Sequence, residues 1–271
     1  MRVALCQLPG SSRPEVNSGR VRDALAQAAD QGADLAVFPE ATQVRFGSDL
    51  LAAAEPLDGP FCSGLAAAAK QTGVALVAGV FEPASGGRVY NTAVAYDGAG
   101  ELVASYRKLH LFDAFGHRES DQVAPGSAPV ACTLAGVRTG LAICYDVRFG
   151  ELSRALAVAG AELLVLPAAW AAGPLKEEHW MTLIRARAIE NTVWVAAVGQ
   201  VPDPDEPPTR AATGIGRSML VDPLGVVRLD LGPSAGVAVG SVDVGLVETV
   251  RAAVPSLANR REDVFGPPVV F

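Results

Sequence analysis

The sequence has no long apolar segment, few lysines and little cysteine, and each shortage argues against a class of protein. Charges, prolines or glycines interrupt every hydrophobic run before the roughly 18 residues that a membrane helix needs. Lysine and arginine total 22 against 29 acidic residues, and the net charge of −7 argues against a nucleic-acid partner. The amino-terminal apolar run is too short for a secretory signal. We therefore expect a cytoplasmic protein that does not span a membrane.

Cysteine occurs at four widely separated positions, Cys6, Cys62, Cys132 and Cys144. No CxxC motif or paired Cys/His spacing is present, so the sequence predicts no metal site. A chain of 271 residues can bury a large core without disulfides, and we expect four reduced thiols. The remaining question is which thiol is reactive.

Apolar runs alternate with segments of helical spacing along most of the chain, which is typical of an α/β fold. We predict one domain over residues 1–271, with helices covering sheet layers and a tail over about the last 20 residues. The alternating residue pattern of 89–106 indicates an antiparallel hairpin that turns at Asp97 and Gly98. Other predicted strands are 3–8, 35–38, 74–80, 137–144, 163–166, 193–198, 215–221, 226–229 and 237–242, and the predicted helices are 14–31, 61–71, 148–159 and 175–191.

Cys144, in the segment GLAICYDVRFGEL, is the cysteine whose position favours reactivity. It ends an apolar predicted strand and directly precedes a predicted helix. The amides and positive end of a helix lower a thiol pKa and donate hydrogen bonds to an oxyanion, so we expect a lowered pKa here. A buried cysteine that only fills space is the alternative. The settings of the other three cysteines indicate core packing.

Two carboxylates and one lysine are better candidate partners for this thiol than the three histidines, none of which lies in a pattern that aims its ring at a thiol. Glu40 follows a buried predicted strand, where open α/β sheets place ligands. Lys108, one of only three lysines, has aromatic and aliphatic neighbours that suit a partly desolvated ammonium. Glu119 lies in the long polar loop 109–130. Taken singly, Glu40 and Glu119 fit solvated surface residues better, and an ordinary loop lysine is the alternative for Lys108.

Taken together, three separated segments favour a functional role over a surface role for these residues. They are AVFPE ending at Glu40, YRKLHLF around Lys108 and ICYDVRF around Cys144. They resemble the nitrilase superfamily of carbon–nitrogen hydrolases, which carries a glutamate, a lysine and a cysteine in this order. Further similarity lies in RESDQVAPG, which contains Glu119, and in PAAW, RARAIEN and SMLVDPLG. The match extends across essentially the whole chain.

The resemblance implies a four-layer αββα sandwich with two sheets face to face and helices outside. It also implies a homodimer or higher homo-oligomer, in which the layers commonly extend to αββα-αββα. We expect the tail, about residues 250–271, to pack at the dimer interface.

The resemblance also assigns roles. Glu40 takes the proton of Cys144, whose sulfur attacks an amide carbon and forms a thioester. Lys108 and the backbone amide of Tyr145 hold the oxyanion. Glu119 orients Lys108 and binds the attacking group or the substrate. This chemistry requires no metal or cofactor.

Trp170, in PAAW, and Arg118 are the expected substrate-binding residues. Two positions depart from the family pattern: Gly150 stands where proline is common, and Arg217 where histidine or a small residue is frequent. An arginine that faces the cleft would favour an anionic substrate, and Arg118, Arg45 and Arg217 are the candidates.

Tyr145 and Asp146 after the cysteine resemble the amidase branches, whereas true nitrilases usually carry Trp and Glu there. The segment YRKLHLFDAFG is most similar to omega-amidases and deaminated-glutathione amidases. We expect a small, carboxylated amide as substrate and ammonia as a product. N-carbamoyl amino acid hydrolysis, amide transfer and nitrile hydrolysis are alternatives within the superfamily. A catalytically inactive ligand-binding or scaffold protein is the alternative of another class.

Overall fold

The computed structural model describes residues 1–264, which form twelve β-strands and six α-helices. The strands are β1 Arg2–Gln7, β2 Leu35–Val37, β3 Ala75–Pro83, β4 Val89–Tyr96, β5 Leu102–Arg107, β6 Val130–Leu134, β7 Val137–Leu141, β8 Leu163–Ala168, β9 Trp194–Gly199, β10 Met219–Val221, β11 Val227–Asp230 and β12 Gly236–Ser241. The helices are α1 Pro14–Asp30, α2 Leu50–Ala53, α3 Pro60–Thr72, α4 Gly150–Val158, α5 Lys176–Asn191 and α6 Val244–Ala253.

The strands form two six-stranded mixed sheets. The first has the order β12-β1-β2-β3-β4-β5, and the second has the order β11-β10-β9-β8-β7-β6. Strands β1, β2 and β3 are parallel, as are β7, β8 and β9, and the outer strands of both sheets pair antiparallel. Because parallel strands end at the same edge, each sheet gathers the residues that follow its central strands at one place.

The pattern of strand β1 shows how both faces of the first sheet are buried. Val3 and Leu5 lie in the core between the two sheets, whereas Ala4 and Cys6 pack toward helices α1 and α3. Successive side chains of a strand point to opposite faces, so a continuous apolar run is what a strand covered on both sides requires. Helices α4 and α5 cover the second sheet through residues such as Ile184.

The layers are therefore helix, sheet, sheet, helix, and the expected αββα sandwich is confirmed. The predicted strand 215–221 is too long, because only Met219–Val221 is a strand. Gly214, Gly216 and Arg217 all have positive φ, which breaks the extended conformation. A side chain at Gly214 would also collide with the backbone of Gln200, 1.7 Å away.

Two further predictions needed correction near the helices. The predicted helix 148–159 is an α-helix only over Gly150–Val158, since a short 3-10 turn, Cys144–Arg148, comes first. The predicted tail begins inside helix α6, whose Val247 and Val250 are buried. The part of the tail at 265–271 lies outside the described residues.

Within residues 1–264, no helix combines the length and the apolar character needed to cross a bilayer.

Candidate active site

Three candidate residues lie beyond strand ends that meet at one edge of the sandwich. Glu40 follows β2, Lys108 follows β5 and Cys144 follows β7. Gly79 in β3 makes the Glu40 position possible, because a Cβ at Gly79 would lie 2.8 Å from the Cα of Glu40 and 2.6 Å from the amide nitrogen of Ala41. The absence of that side chain lets the Glu40 segment pack directly on the strand.

The Glu40 carboxylate is buried and accepts hydrogen bonds from three groups. Oε1 accepts from Lys108 Nζ at 2.8 Å and from Asn91 Nδ2 at 2.7 Å, and Oε2 accepts from the Ala169 amide at 2.8 Å. Besides burial, the negative charge of this carboxylate also acts on the nearby Cys144 thiol and raises its pKa. The three hydrogen bonds fix the orientation of Glu40 toward both sulfur and ammonium.

Glu119 binds the same ammonium from another direction. Its oxygens lie 3.0 and 2.9 Å from Lys108 Nζ, and the amide of Phe112 donates to Oε2 at 2.6 Å. Asn91 Nδ2 links the two carboxylates, since it also donates to Glu119 Oε1 at 3.1 Å. Glu119 is therefore not a solvated loop residue, because its side chain is 9% exposed and lies against Lys108.

Lys108 is 2% exposed, and burial alone would lower the pKa of its ammonium. The negative charges of Glu119 and Glu40 outweigh that effect and raise the Lys108 pKa well above its ordinary value. A permanently charged lysine in a desolvated site is suited to bind a developing oxyanion.

Cys144 has a left-handed backbone, with φ of 45°, at the start of the 3-10 turn. The expected lowering of its pKa by a helix is wrong. Burial and the negative charge of Glu40 raise the thiol pKa well above 9.0, against an opposing effect of Lys108. The helix that was expected to lower it begins only at Gly150. The resting sulfur therefore carries a proton, and a nearby base must remove it.

Asp146 is a supporting residue for which the sequence predicted no structural role. Its buried carboxylate accepts from the Ile143 amide at 2.9 Å and from the Tyr106 hydroxyl at 2.7 Å. It also accepts from the His110 amide at 3.1 Å and lies 2.7 Å from His110 Nδ1. Asp146 thus ties the turn that carries Cys144 to the segment that carries Lys108. Its position two residues after the cysteine was the available signal.

A cavity of about 200 Å³ opens onto these groups. Six of the candidates from the sequence line it, namely Glu40, Lys108, Glu119, Cys144, Tyr145 and Trp170, together with Phe112 and Lys176, which the sequence did not single out. Pockets for drug-sized ligands usually have volumes of about 300–1,000 Å³, so this cavity suits a small substrate.

The three candidate arginines differ in where they lie. Arg118 lines the cavity mouth, but its side chain is 73% exposed and pairs with Asp121 at 3.3 Å. Arg45 and Arg217 do not line the cavity, which corrects the expectation that either faces the substrate. Both pair with acidic residues elsewhere, Arg45 with Glu206 and Arg217 with Asp230.

The Arg45–Glu206 pair anchors segment 201–213, whose Ala211 and Ala212 line the cavity. Glu206 accepts from the Ser11 hydroxyl at 2.5 Å and the Ser12 amide at 2.8 Å. The hydrogen bond from Ser11 is the main reason why the Glu206 pKa falls from 4.5 to about 2, and the Ser12 bonds and the Arg45 charge add to it.

We expect Glu206→Gln to lower the melting temperature at pH 7. A lowered folded-state pKa stabilises the fold above pH 4.5, and this contribution disappears as pH falls toward about 2. The melting-temperature difference between wild type and variant should therefore shrink over that range. Asp205→Asn, at an exposed neighbouring position, is the control. A difference that stays constant down to pH 2 would contradict this account.

The model of the family described as carbon-nitrogen hydrolase matches residues 2–252. The chain belongs to the carbon–nitrogen hydrolase family. This hydrolase is 42% identical to "Hydrolase Rv0480c" of Mycobacterium tuberculosis over 97% of both chains. It is 38% identical to the deaminated glutathione amidase of Escherichia coli O157:H7 over 99% of both chains. The resemblance to the nitrilase superfamily is thus confirmed.

A solved amidase structure gives a chemical comparison for this hydrolase. The amidase of Nesterenkonia sp. AN1 superposes with a TM-score of 0.81 at 28% identity, covering 97% of this chain and 94% of that one. That structure, of a glutamate-to-glutamine mutant, shows covalent addition of the acetamide moiety of fluoroacetamide at the active-site cysteine. No cluster of three metal-binding side chains of the His, Cys, Asp or Glu type occurs within residues 1–264 of the hydrolase.

Proposed function

We propose that this hydrolase is an amidase that cleaves a small, carboxylated amide through a thioester on Cys144. The observation that carries the proposal is the buried Glu40 carboxylate, which hydrogen-bonds the Lys108 ammonium and acts electrostatically on the Cys144 thiol beside one cavity. A base, a nucleophile and a cation in contact are what nucleophilic acyl transfer requires.

In the first step, Glu40 accepts the proton of Cys144 as the sulfur attacks the amide carbon. Because the thiol pKa is raised, the sulfur keeps its proton at neutral pH unless Glu40 removes it during the attack. The carbonyl electron pair moves to oxygen and gives a tetrahedral intermediate. Glu40 then donates the proton to the leaving nitrogen, the carbon–nitrogen bond breaks, and ammonia departs from a thioester.

Lys108 and the Tyr145 amide stabilise the oxyanion of that intermediate. Three carboxylate oxygens accept hydrogen bonds from the Lys108 ammonium in the resting site, so the substrate oxygen would replace one of the two bonds to Glu119. Removing one such donor typically costs about 3 kcal/mol of transition-state stabilisation. In the second step, water gives a proton to Glu40, attacks the thioester and releases the acid and the thiol.

Glu119 is a positioning residue that acts through Lys108. We expect Glu119→Gln to lower kcat about 10- to 100-fold with a smaller change in KM, because the amide retains the shape but not the charge that holds the ammonium. Asp121→Asn, which changes an exposed carboxylate two residues away, is the matched control. Steady-state kinetics on both variants measure this effect. A kcat within a few-fold of wild type for Glu119→Gln would reject the positioning role of Glu119.

An ammonia-release screen tests the proposed activity. It covers short omega-amides, alpha-keto acid amides, N-carbamoyl amino acids and nitriles, with Cys144→Ala as the blank. We expect release from omega-amides above the blank. Carbon dioxide release from carbamoyl compounds alone, or turnover of nitriles alone, would reject the amidase assignment. Absence of turnover with every compound would favour the ligand-binding alternative.

We also propose that residues 1–271 form a single domain, that the protein is cytoplasmic, and that it assembles as a homodimer in which the carboxyl-terminal tail takes part. The match over residues 2–252 supports one domain, and four free, buried cysteines suit a reducing compartment. Light scattering on the full chain should give the mass of two copies, and the mass of one copy would exclude the dimer.

A further inference from the structure

Lys176, the first residue of helix α5, reaches the catalytic cavity from an element that carries none of the proposed catalytic residues. It is 5% exposed, and its Nζ lies 3.9 Å from the ring centre of Phe115, 4.9 Å from that of Phe112 and 5.4 Å from that of Trp170. The three rings position the ammonium but leave its charge unneutralised.

No carboxylate whose side chain the structure describes forms an ion pair with Lys176, in contrast to Lys108, which contacts two. Arg148 adds a second positive charge nearby, with its guanidinium 5.1 Å from the ring centre of Trp170. Burial is the main cause that lowers the Lys176 pKa, and the charge of Arg148 lowers it further. Burying a cation without an anionic partner costs free energy. A negatively charged group of the bound ligand would therefore stabilise this site.

We propose that Lys176 binds the carboxylate of the substrate and thereby selects omega-amides of dicarboxylic acids. The inference rests on the proposed amidase function and names the residue that sets its specificity. Of the lysines and arginines that line the cavity, Lys108 contacts two carboxylates and Arg118 pairs with Asp121, which leaves Lys176 for this purpose. Phe112 and Trp170 supply apolar surface for the methylene chain between the carboxylate and the amide.

Lysine is the right residue type for this contact. A single ammonium binds one carboxylate strongly as a point charge, and a hydrogen bond to a charged group typically changes affinity about 10- to 100-fold. A neutral analogue of the same shape should lose most of that advantage. Removing the ammonium from the protein should have the same effect as removing the charge from the substrate.

The test compares the monoamides of succinic and glutaric acid with neutral analogues in which a nitro group replaces the carboxylate. For wild type we expect kcat/KM to favour the charged amides about 10- to 100-fold. Lys176→Met should bring that ratio close to one, mainly through a higher KM for the charged amides, and Lys176→Arg should restore part of it. Lys70→Met, which removes an exposed lysine on helix α3, should keep the wild-type ratio.

A binding measurement makes the outcome independent of turnover. Calorimetry with succinate and glutarate on Cys144→Ala, alone and combined with Lys176→Met, should show binding that the second substitution weakens at least about tenfold. Melting temperatures check that each variant is folded. A charged-to-neutral ratio that Lys176→Met leaves unchanged, or equal dicarboxylate binding with and without Lys176, would overturn this inference. Failure of the proposed function has a different signature, since wild type would then release ammonia from no amide.

Discussion

Replacement of Cys144 by alanine is expected to lower ammonia release by about four orders of magnitude or more while leaving the fold intact. Loss of a covalent nucleophile removes the whole two-step route, and losses of this size are usual for such residues. The side chain is 8% exposed and small, so its truncation creates little empty volume. The measurement is kcat for ammonia release, accompanied by the melting temperature.

Cys132→Ala is the matched control for this substitution. Cys132 lies in β6, is also 8% exposed and does not line the catalytic cavity. Burial raises its pKa to about 11, so it is unreactive at neutral pH. We expect its loss to change kcat less than a few-fold. A Cys144→Ala variant that keeps a tenth of wild-type activity would contradict the assigned nucleophile.

Glu40→Gln is the second substitution with a large expected effect, a fall in kcat of about 10²- to 10⁴-fold. The amide keeps the size of the side chain but cannot accept the thiol proton in the transition state. Its NH₂ group would also face donors that now bind a carboxylate oxygen, Lys108 Nζ and Asn91 Nδ2 or the Ala169 amide. Residual activity should increase with pH, because a thiol whose pKa is raised must then ionise without a base.

Glu82→Gln provides the control for loss of a buried carboxylate. Glu82 accepts from Thr92 and pairs with Arg107 at 2.9 Å, and it does not line the cavity. We expect lower stability but a kcat within a few-fold of wild type. Comparable kcat losses in Glu40→Gln and Glu82→Gln would indicate that destabilisation, not removal of a base, explains the effect.

The strand ends and their chemistry could be predicted because both follow from local patterns. Apolar runs located β2 and β7, and the motifs after them placed Glu40 and Cys144 at the edge where parallel strands end. The layered fold and the proximity of Lys108 then followed from the family resemblance. Residues that act through contacts distant in sequence were harder to find. Asn91 carries no local signature of its role, and Asp146 is marked only by its position two residues after the cysteine.

The electrostatic character of the site depends on burial, which a sequence does not display. The motif around Cys144 suggested a lowered thiol pKa, yet desolvation and the neighbouring Glu40 raise it. In the same way, arginines were the obvious candidates for an anionic substrate because they are numerous. The carboxylate partner of Arg45, Glu206, lies far away in the chain, and only the fold reveals it.

The most direct measurement of the central claim is trapping of the acyl-enzyme. An activated aryl ester of the acid whose amide is the best substrate should acylate the protein quickly, so that deacylation limits turnover. We predict a burst of about one aryl alcohol per chain and, after an acid quench and peptide mapping, an acyl group on Cys144. Turnover without a burst, or an acyl group on another residue, would contradict the thioester mechanism.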